Sequence, residues 1–228
     1  MANHFFRFPQ TPHVTWLGTD SPREDKVLSK GEVADLLSSE VLVEEKLDGA
    51  NLGISIDSNF ELQVQNRGQY LRTPFTGQFS RLNGWLGQHS FRLIDNLRPG
   101  QILFGEWCAA RHSMDYTSLP DWFLLFDVYD LQKKKFWSSH RRNSFASKLG
   151  LKVVPNLYQG KIELNQLVEL LANSESHYRA GPPEGIIIRK QSDQWCEARA
   201  KLVRASFSQS IEDHWRSRLI EWNELKHE

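Results

Sequence analysis

What most constrains the fold of this chain is a set of short apolar runs, rich in β-branched and aromatic residues, separated by uneven gaps. They fall at 41–46, 52–57, 60–66, 101–107, 123–129, 185–190 and 196–203, and their length and composition predict strands. The gaps at 29–39, 76–89, 139–150 and 162–174 carry apolar residues at helical spacing. Because helices do not follow every strand, the pattern predicts an α+β fold with antiparallel sheets rather than a doubly wound parallel sheet. With no long linker, repeat or low-complexity block, positions 1–228 are expected to form a single unit.

Charge and cysteine content remove several function classes. Lys plus Arg equals Asp plus Glu at 28 each, so a contact with nucleic acid must come from a local patch rather than from the net field. The two cysteines, Cys108 and Cys196, form no CxxC pair, and "MANHFFRFPQ" lacks the apolar core of a signal peptide. A reducing cytoplasm is therefore expected. No apolar run approaches the ~20 residues that span a bilayer, so no membrane partner is expected. The terminal stretch "SQSIEDHWRSRLIEWNELKH" opens with Ser210 and Asp213 as a capping box. It places Ile211, Trp215, Leu219 and Trp222 on one stripe, predicting an amphipathic helix packed on the domain. The "KKK" at 133–135 and "HRR" at 140–142 read as solvated faces.

Chemistry enters at "VLVEEKLDGANLGISI", residues 41–56. A strand ends in a lysine and is followed at once by Asp-Gly and an asparagine. Asp-Gly is a tight-turn signal that returns the next strand, which makes a hairpin with a solvated Lys46 one reading. The other is a lysine held at a strand end over a cleft, as a nucleophile. Further chemical residues also fall at strand ends: Arg67 in "NRG", Glu106 in "FGEW" and Glu184 in "PEGIIIRK". Phe126 lies within "LLFDVYD", and Arg199, Lys201 and Arg204 lie in "RAKLVR".

In this order the motifs resemble those of the covalent nucleotidyltransferase superfamily, which holds ATP-dependent DNA and RNA ligases and messenger RNA capping enzymes. Within it the chain most resembles the bacterial and phage-type RNA ligase family. The resemblance implies a ligase-type nucleotidyltransferase fold, with antiparallel sheets flanked by helices and a nucleotide cleft between them. It implies that Lys46 takes the nucleotide on its side-chain nitrogen, with Arg67, Glu184 and Lys201 as its catalytic company. Nucleotide contacts extend to Glu45, Asp48, Asn51, Glu106, Arg204 and Phe126, the last stacking on adenine. Glu106 and Glu184 would hold Mg²⁺ or Mn²⁺, with ATP as cosubstrate and RNA ends as partners. Where relatives carry two lysines separated by one residue, this chain has "KLVR", leaving the division of phosphate contacts among Arg199, Lys201 and Arg204 open. The segment "ARHSMDYTSLP", with His112 and Tyr116, follows the family's pattern too. DNA ligases and capping enzymes normally carry an OB-fold domain after the last motif, and only 24 residues follow Arg204. The expected activity is therefore RNA sealing in RNA repair, with room for an accessory nucleic-acid-binding partner. The rival readings are a DNA ligase, a capping enzyme or a silent nucleotide-binding module.

Independently of any family, a lysine with a pKa near 10.4 cannot attack phosphorus while protonated. Burial beside Arg67, Lys201 or Arg204 is the expected means of freeing its amine. Asp48 is expected to form the turn by bonding its own backbone, with Gly49 permitting that turn.

Overall fold

The computed structural model describes residues 5–18, 26–210 and 219–226. Its elements run α1 (Lys30–Leu36), β1 (Val41–Lys46), β2 (Ala50–Ile56), β3 (Leu62–Gln65), α2 (Leu82–Asn96), β4 (Gln101–Trp107), β5 (Phe123–Asp130) and β6 (Lys135–Trp137). They continue with α3 (Ser139–Leu149), β7 (Lys152–Val153), β8 (Asn156–Gly160), α4 (Leu164–Asn173), β9 (Gly185–Gln191), β10 (Trp195–Val203) and α5 (Ala205–Ser210). The helices start where side chains can satisfy their first N–H groups. Ser29 and Glu32 form a reciprocal box on α1, and Ser138 accepts from the Arg141 N–H of α3. Helix α3 stops at Gly150, whose φ of 71° lies in the left-handed region.

The strands form one sheet in the order β3-β2-β4-β5-β6-β10-β9-β1-β8, antiparallel throughout this path, with β7 parallel to β5. The three-residue β6 links two halves. Helices back one face of each half. Leu52, Ile54, Leu103, Phe123 and Leu125 pack with Trp85 and Leu93 of α2 and Ala146 of α3. On the other half, Val41, Val43, Ile186, Ile188, Ala200 and Leu202 pack with Leu36 of α1 and Leu167 and Leu171 of α4. The period of two along each strand then sends Glu44 and Lys46, Ile187 and Arg189, and Arg199 and Lys201 to the opposite face.

Two expectations from sequence change here. Asp-Gly does not close a hairpin: β1 pairs with β8 and β9, while β2 pairs with β3 and β4. Residues 47–49 instead carry the chain from one half of the sheet to the other. A Cβ on Gly49 would lie 2.6 Å from the Trp107 carbonyl oxygen, so close approach to β4 is what requires glycine there.

The second change is at the C-terminus. Ser210 has no described side chain, and Ile211, Asp213 and Trp215 lie outside the described residues, but 219–226 are extended rather than helical. Trp222 pairs with Ala110 and Leu225 with Leu119, and Leu219 is 95% exposed. The backbone of this segment finds its partners on the 109–119 loop, through Asn223 N–H to Ala109 and Leu119 N–H to Glu224, and that pairing outweighs the helical spacing of its apolar residues.

Candidate active site

The crossing between the sheet halves opens onto a cleft of about 780 Å³, within the size range of small-molecule sites. Lys46 ends β1 opposite Gly185 of β9. That register sets Glu184 beside it, with Lys46 Nζ 2.6 Å from Glu184 Oε1. From the other half, Asn51 of β2 stands opposite Glu106 of β4, and Glu106 Oε1 accepts the Gly49 N–H at 3.0 Å. Lys46, Asn51, Glu106, Phe126 and Lys201 all line the cleft. Two oxygens here are buried without a hydrogen-bond partner, Asn51 Oδ1 and Glu184 Oε2. Orphaned buried acceptors of this kind are costly unless a ligand supplies their partner.

The electrostatics reverse the expected means of activating Lys46. Burial works against its ammonium, but Glu184, Glu106 and Asp48 outweigh that effect and raise its pKa above the usual lysine value. The lysine therefore stands protonated among carboxylates, not neutralised by neighbouring arginines. Burial pushes the Glu106 carboxyl up to about 8 and that of Glu184 up to about 7, with Lys46 opposing both shifts.

The remaining candidate residues divide by where their side chains go. Phe126 lies on the cleft wall with its ring edge-on to Phe8, centroids 5.3 Å apart at 72°. Arg67 stands exposed on the rim. It sits in a tight turn whose Asn66 Oδ1 accepts the N–H groups of Gly68 and Gln69, both at 2.8 Å. Asp48 does not bond its own backbone. Its Oδ2 accepts from Ser113 N at 2.7 Å and Met114 N at 2.8 Å, and its own N–H donates to the Tyr116 hydroxyl at 2.8 Å. A carboxylate at the crossing thus holds the 111–116 loop against the site. His112 lines the cleft with Nε2 2.7 Å from Gln78 Oε1, and its Nδ1 lies 4.0 Å from Asp48 Oδ1.

Two candidates turn elsewhere. The Glu45 carboxylate accepts from Ser176 Oγ at 2.5 Å and from His177 N at 3.0 Å, so it anchors the segment leading to Glu184. Arg204 donates to the carbonyls of Leu171 and Ala172 at the end of α4, 2.6 and 3.0 Å away, and is not among the residues lining the cleft. This is the usual place for a cation on a helix C-terminus. Arg199 reaches the cleft but is engaged by Asp127 and stacked on Phe8 and Phe136, 4.5 and 4.0 Å from their ring centroids. Of the three basic residues left open by "RAKLVR", Arg199 and Lys201 line the cleft from one face of β10 and Arg204 does not; Lys201 stands opposite Ile187, whose other neighbour is Glu44.

Sequence reasoning missed the floor of the cleft. Glu44 pairs with Arg142 at 2.5 Å, Asp127 with Arg189 at 2.5 Å and with Arg199, and the Phe126 carbonyl accepts from both Arg142 and Arg189. Arg142, read as part of a solvated face, is 1% exposed. Removing one member of such a network strands a buried charge. The N-terminal segment "FPQTPHV", within the stretch covered by the family resemblance but given no role from sequence, belongs to the site as well. Phe8, Pro9, Gln10 and Thr11 form one wall of the cleft, held where Pro12 O accepts from Lys201 N and Val14 N donates to Lys201 O, both at 2.8 Å.

The C-terminal segment locks the loop that Asp48 holds. Asn223, 4% exposed, accepts from Tyr116 N at 2.9 Å and donates to Cys108 O at 2.8 Å. Asn223→Ala leaves both groups without a partner and is expected to cost about 1–3 kcal/mol, read by urea unfolding. A loss under about 0.5 kcal/mol would show that the contact holds nothing in place.

The fold and the sequence family together define the class. The structure of Naegleria gruberi RNA ligase with PPi matches at TM-score 0.61 and 19% identity, over 81% of this chain and 55% of that one. A lysine-to-alanine mutant of the same enzyme with ATP and Mn also matches at TM-score 0.61 and 19% identity, over 78% and 54%. A second such mutant with ATP and Mn matches at TM-score 0.59 and 17% identity, over 92% and 64%. The mixed fold with its large antiparallel sheet is thus the nucleotidyltransferase-like fold of RNA ligases, and the chain spans about half the length of the first of these structures. The RNA ligase family model matches residues 39–203, well over half of the chain, which belongs to that family. Comparison with curated protein sequences finds no match. No helix among the described residues is long and apolar enough to cross a membrane.

Proposed function

We propose that this chain is an ATP-dependent RNA ligase acting through one nucleotidyltransferase domain, and that it seals a 5′-phosphate to a 3′-hydroxyl in broken RNA. The observation that carries this reading is Lys46 Nζ at a strand end, 2.6 Å from Glu184 and facing a cleft shared with Glu106, Asn51, Phe126 and Lys201, in a member of the RNA ligase family. Lys46, freed of its proton, attacks the α-phosphorus of ATP. The bond to the β-phosphate oxygen breaks, pyrophosphate leaves, and AMP remains on Nζ. An oxygen of an RNA 5′-phosphate then displaces Lys46 from that phosphorus. Finally a 3′-hydroxyl attacks the 5′-phosphorus and expels AMP, the proton passing to solvent.

Phe126 offers an aromatic face or edge to the adenine, and Lys201 and Arg67 offer charge to the phosphates. The acceptors around Lys46 are all oxygens, two of them orphaned, which suits a hard divalent ion such as Mg²⁺ or Mn²⁺. Among the described residues no three His, Cys, Asp or Glu side chains gather into a ready cluster. Glu106 and Glu184 would therefore hold the ion together with water and substrate phosphates. Such an ion supplies charge to the triphosphate and relieves the carboxylate field that keeps Lys46 protonated.

Incubation with labelled ATP and Mg²⁺, followed by denaturing electrophoresis, tests the proposal. A labelled band that then transfers to 5′-phosphorylated RNA is expected. Labelling as strong with GTP would favour a capping reaction, equal sealing of all-DNA and all-RNA nicks would favour a DNA ligase, and absence of label would favour a silent binding module. The pH dependence follows from the raised carboxyls at about 7 and about 8. Protons compete with the cation for both groups, so at subsaturating metal the labelling rate should climb from roughly pH 6 to pH 9, with more metal moving the carboxyl-dependent part of the rise to lower pH. A flat profile over that range would remove the two carboxyls from metal binding.

A further inference from the structure

A second hollow, of about 670 Å³, lies beside the cleft and shares Asn66, Gln69 and Phe79 with it. The 66–69 turn is the ridge between the two spaces. It is stiffened by the Asn66 carboxamide and by Asn66 N–H donating to Gln69 O at 2.9 Å, and Arg67 stands exposed on it. Beyond the ridge the hollow is walled by Tyr70, exposed Arg72 and Phe75. Tyr70 is braced edge-on by Phe5, with ring centroids 5.4 Å apart at 79°. Among the described residues lining it there is no carboxylate. In a chain whose charges cancel overall, a hollow whose described lining has an arginine and two aromatic rings and no acid, opening on the reaction cleft, is a local pattern matched to one kind of ligand. Phosphodiesters pair with guanidinium groups, and unpaired bases stack on rings.

We propose that this hollow seats the 5′-phosphorylated RNA strand, with Arg72 on a backbone phosphate, Tyr70 and Phe75 against the first unpaired bases, and Arg67 on the ridge steering the terminal phosphate into the cleft. The inference rests on the ligase reading and adds to it the place of the second substrate. The geometry assigns the 5′-phosphate strand because its terminal phosphate is the group that must enter the cleft to meet the AMP. A strand lying across the 66–69 ridge delivers it there.

The test times transfer alone. Wild type, Arg72→Ala, Tyr70→Leu and, as a control, Arg141→Ala are first loaded with AMP and freed of ATP. Each is then mixed with increasing 5′-phosphorylated RNA oligonucleotide. Arg141 is a suitable control because it is a surface cation stacked over Trp137 at 3.7 Å, outside both hollows. The half-saturating RNA concentration should rise at least ~10-fold for Arg72→Ala and Tyr70→Leu, in the range for lost stacking and phosphate contacts. For Arg72→Ala the log–log salt slope should fall by about 0.7, the value for one phosphate contact on a single strand. Unchanged half-saturation in both variants overturns the inference while leaving the ligase reading intact, and so does an equal loss in Arg141→Ala, which would mean diffuse attraction. A wild type that takes no label overturns both together.

Discussion

Lys46→Ala is expected to take up no AMP label under any ATP, metal or pH condition, whereas the wild-type adduct should survive denaturation, resist base and be lost in acid, as a phosphoramidate is. The expected loss is complete because, among the described residues, no other amine is placed to substitute. Lys201, the other lysine lining the cleft, comes from β10, where its backbone is pinned on both sides to the N-terminal segment. Lys46→Arg is expected to fail equally. A guanidinium can satisfy Glu184 as well as an ammonium does, but it stays protonated and has no lone pair to offer phosphorus. The pair of variants separates the two tasks of the residue, since Lys46→Arg keeps the ion pair and loses only the nucleophile. Label appearing on another residue of Lys46→Ala would overturn the assignment of this site.

Glu184→Ala and Lys201→Ala are each expected to slow adduct formation by at least ~10²-fold, the range for losing one preorganised charge at a phosphoryl-transfer centre. For Glu184 the result discriminates between two roles. If its only task were to hold Lys46 as an ammonium, removing it would lower the lysine's pKa and speed the reaction. If it also holds the cation, the reaction slows, and extra metal restores only part of the rate. Full activity of Glu184→Ala across a metal titration would take the residue out of the site. Lys201→Ala should leave the lysine pKa nearly untouched and act on the phosphates instead, so its deficit should persist at saturating metal.

Of the site residues expected from sequence, Lys46, Glu106 and Glu184 stand at or beside a strand end, whereas Phe126 and Lys201 lie within β5 and β10. A polar side chain at the end of an apolar run breaks a simple pattern, and Lys46, Glu106 and Glu184 each did so visibly. The strands themselves were legible for the same reason, because β-branched runs between turn residues have few other uses. The buried ionic floor was not. Glu44, Asp127, Arg142 and Arg189 sit at positions where a charge normally marks a solvated face, and only the sheet order, with β1, β5, β9 and α3 converging, shows that they neutralise one another. The path of residues 47–49 was hidden likewise. Asp-Gly reads as a hairpin from local chemistry, and nothing local reveals that the next strand belongs to the far half of the sheet. The extended terminal segment failed for a related reason, since apolar spacing near 3.6 cannot report that a neighbouring loop offers better backbone partners.

The N-terminal wall bears on how the reaction unit is to be excised. The family match begins at residue 39, and a truncation cut there would retain Lys46, Glu106, Glu184 and Lys201. It would nonetheless lack Phe8 to Thr11, the aromatic neighbour of Phe126 and the ring beneath Arg199. It would also leave the Lys201 N–H and C=O without the Pro12 and Val14 partners that hold this strand. The boundary of the motifs and the boundary of the working fold are therefore different places in the chain. A domain dissected or fused by motif alone would carry every reacting group in a cleft with one side missing.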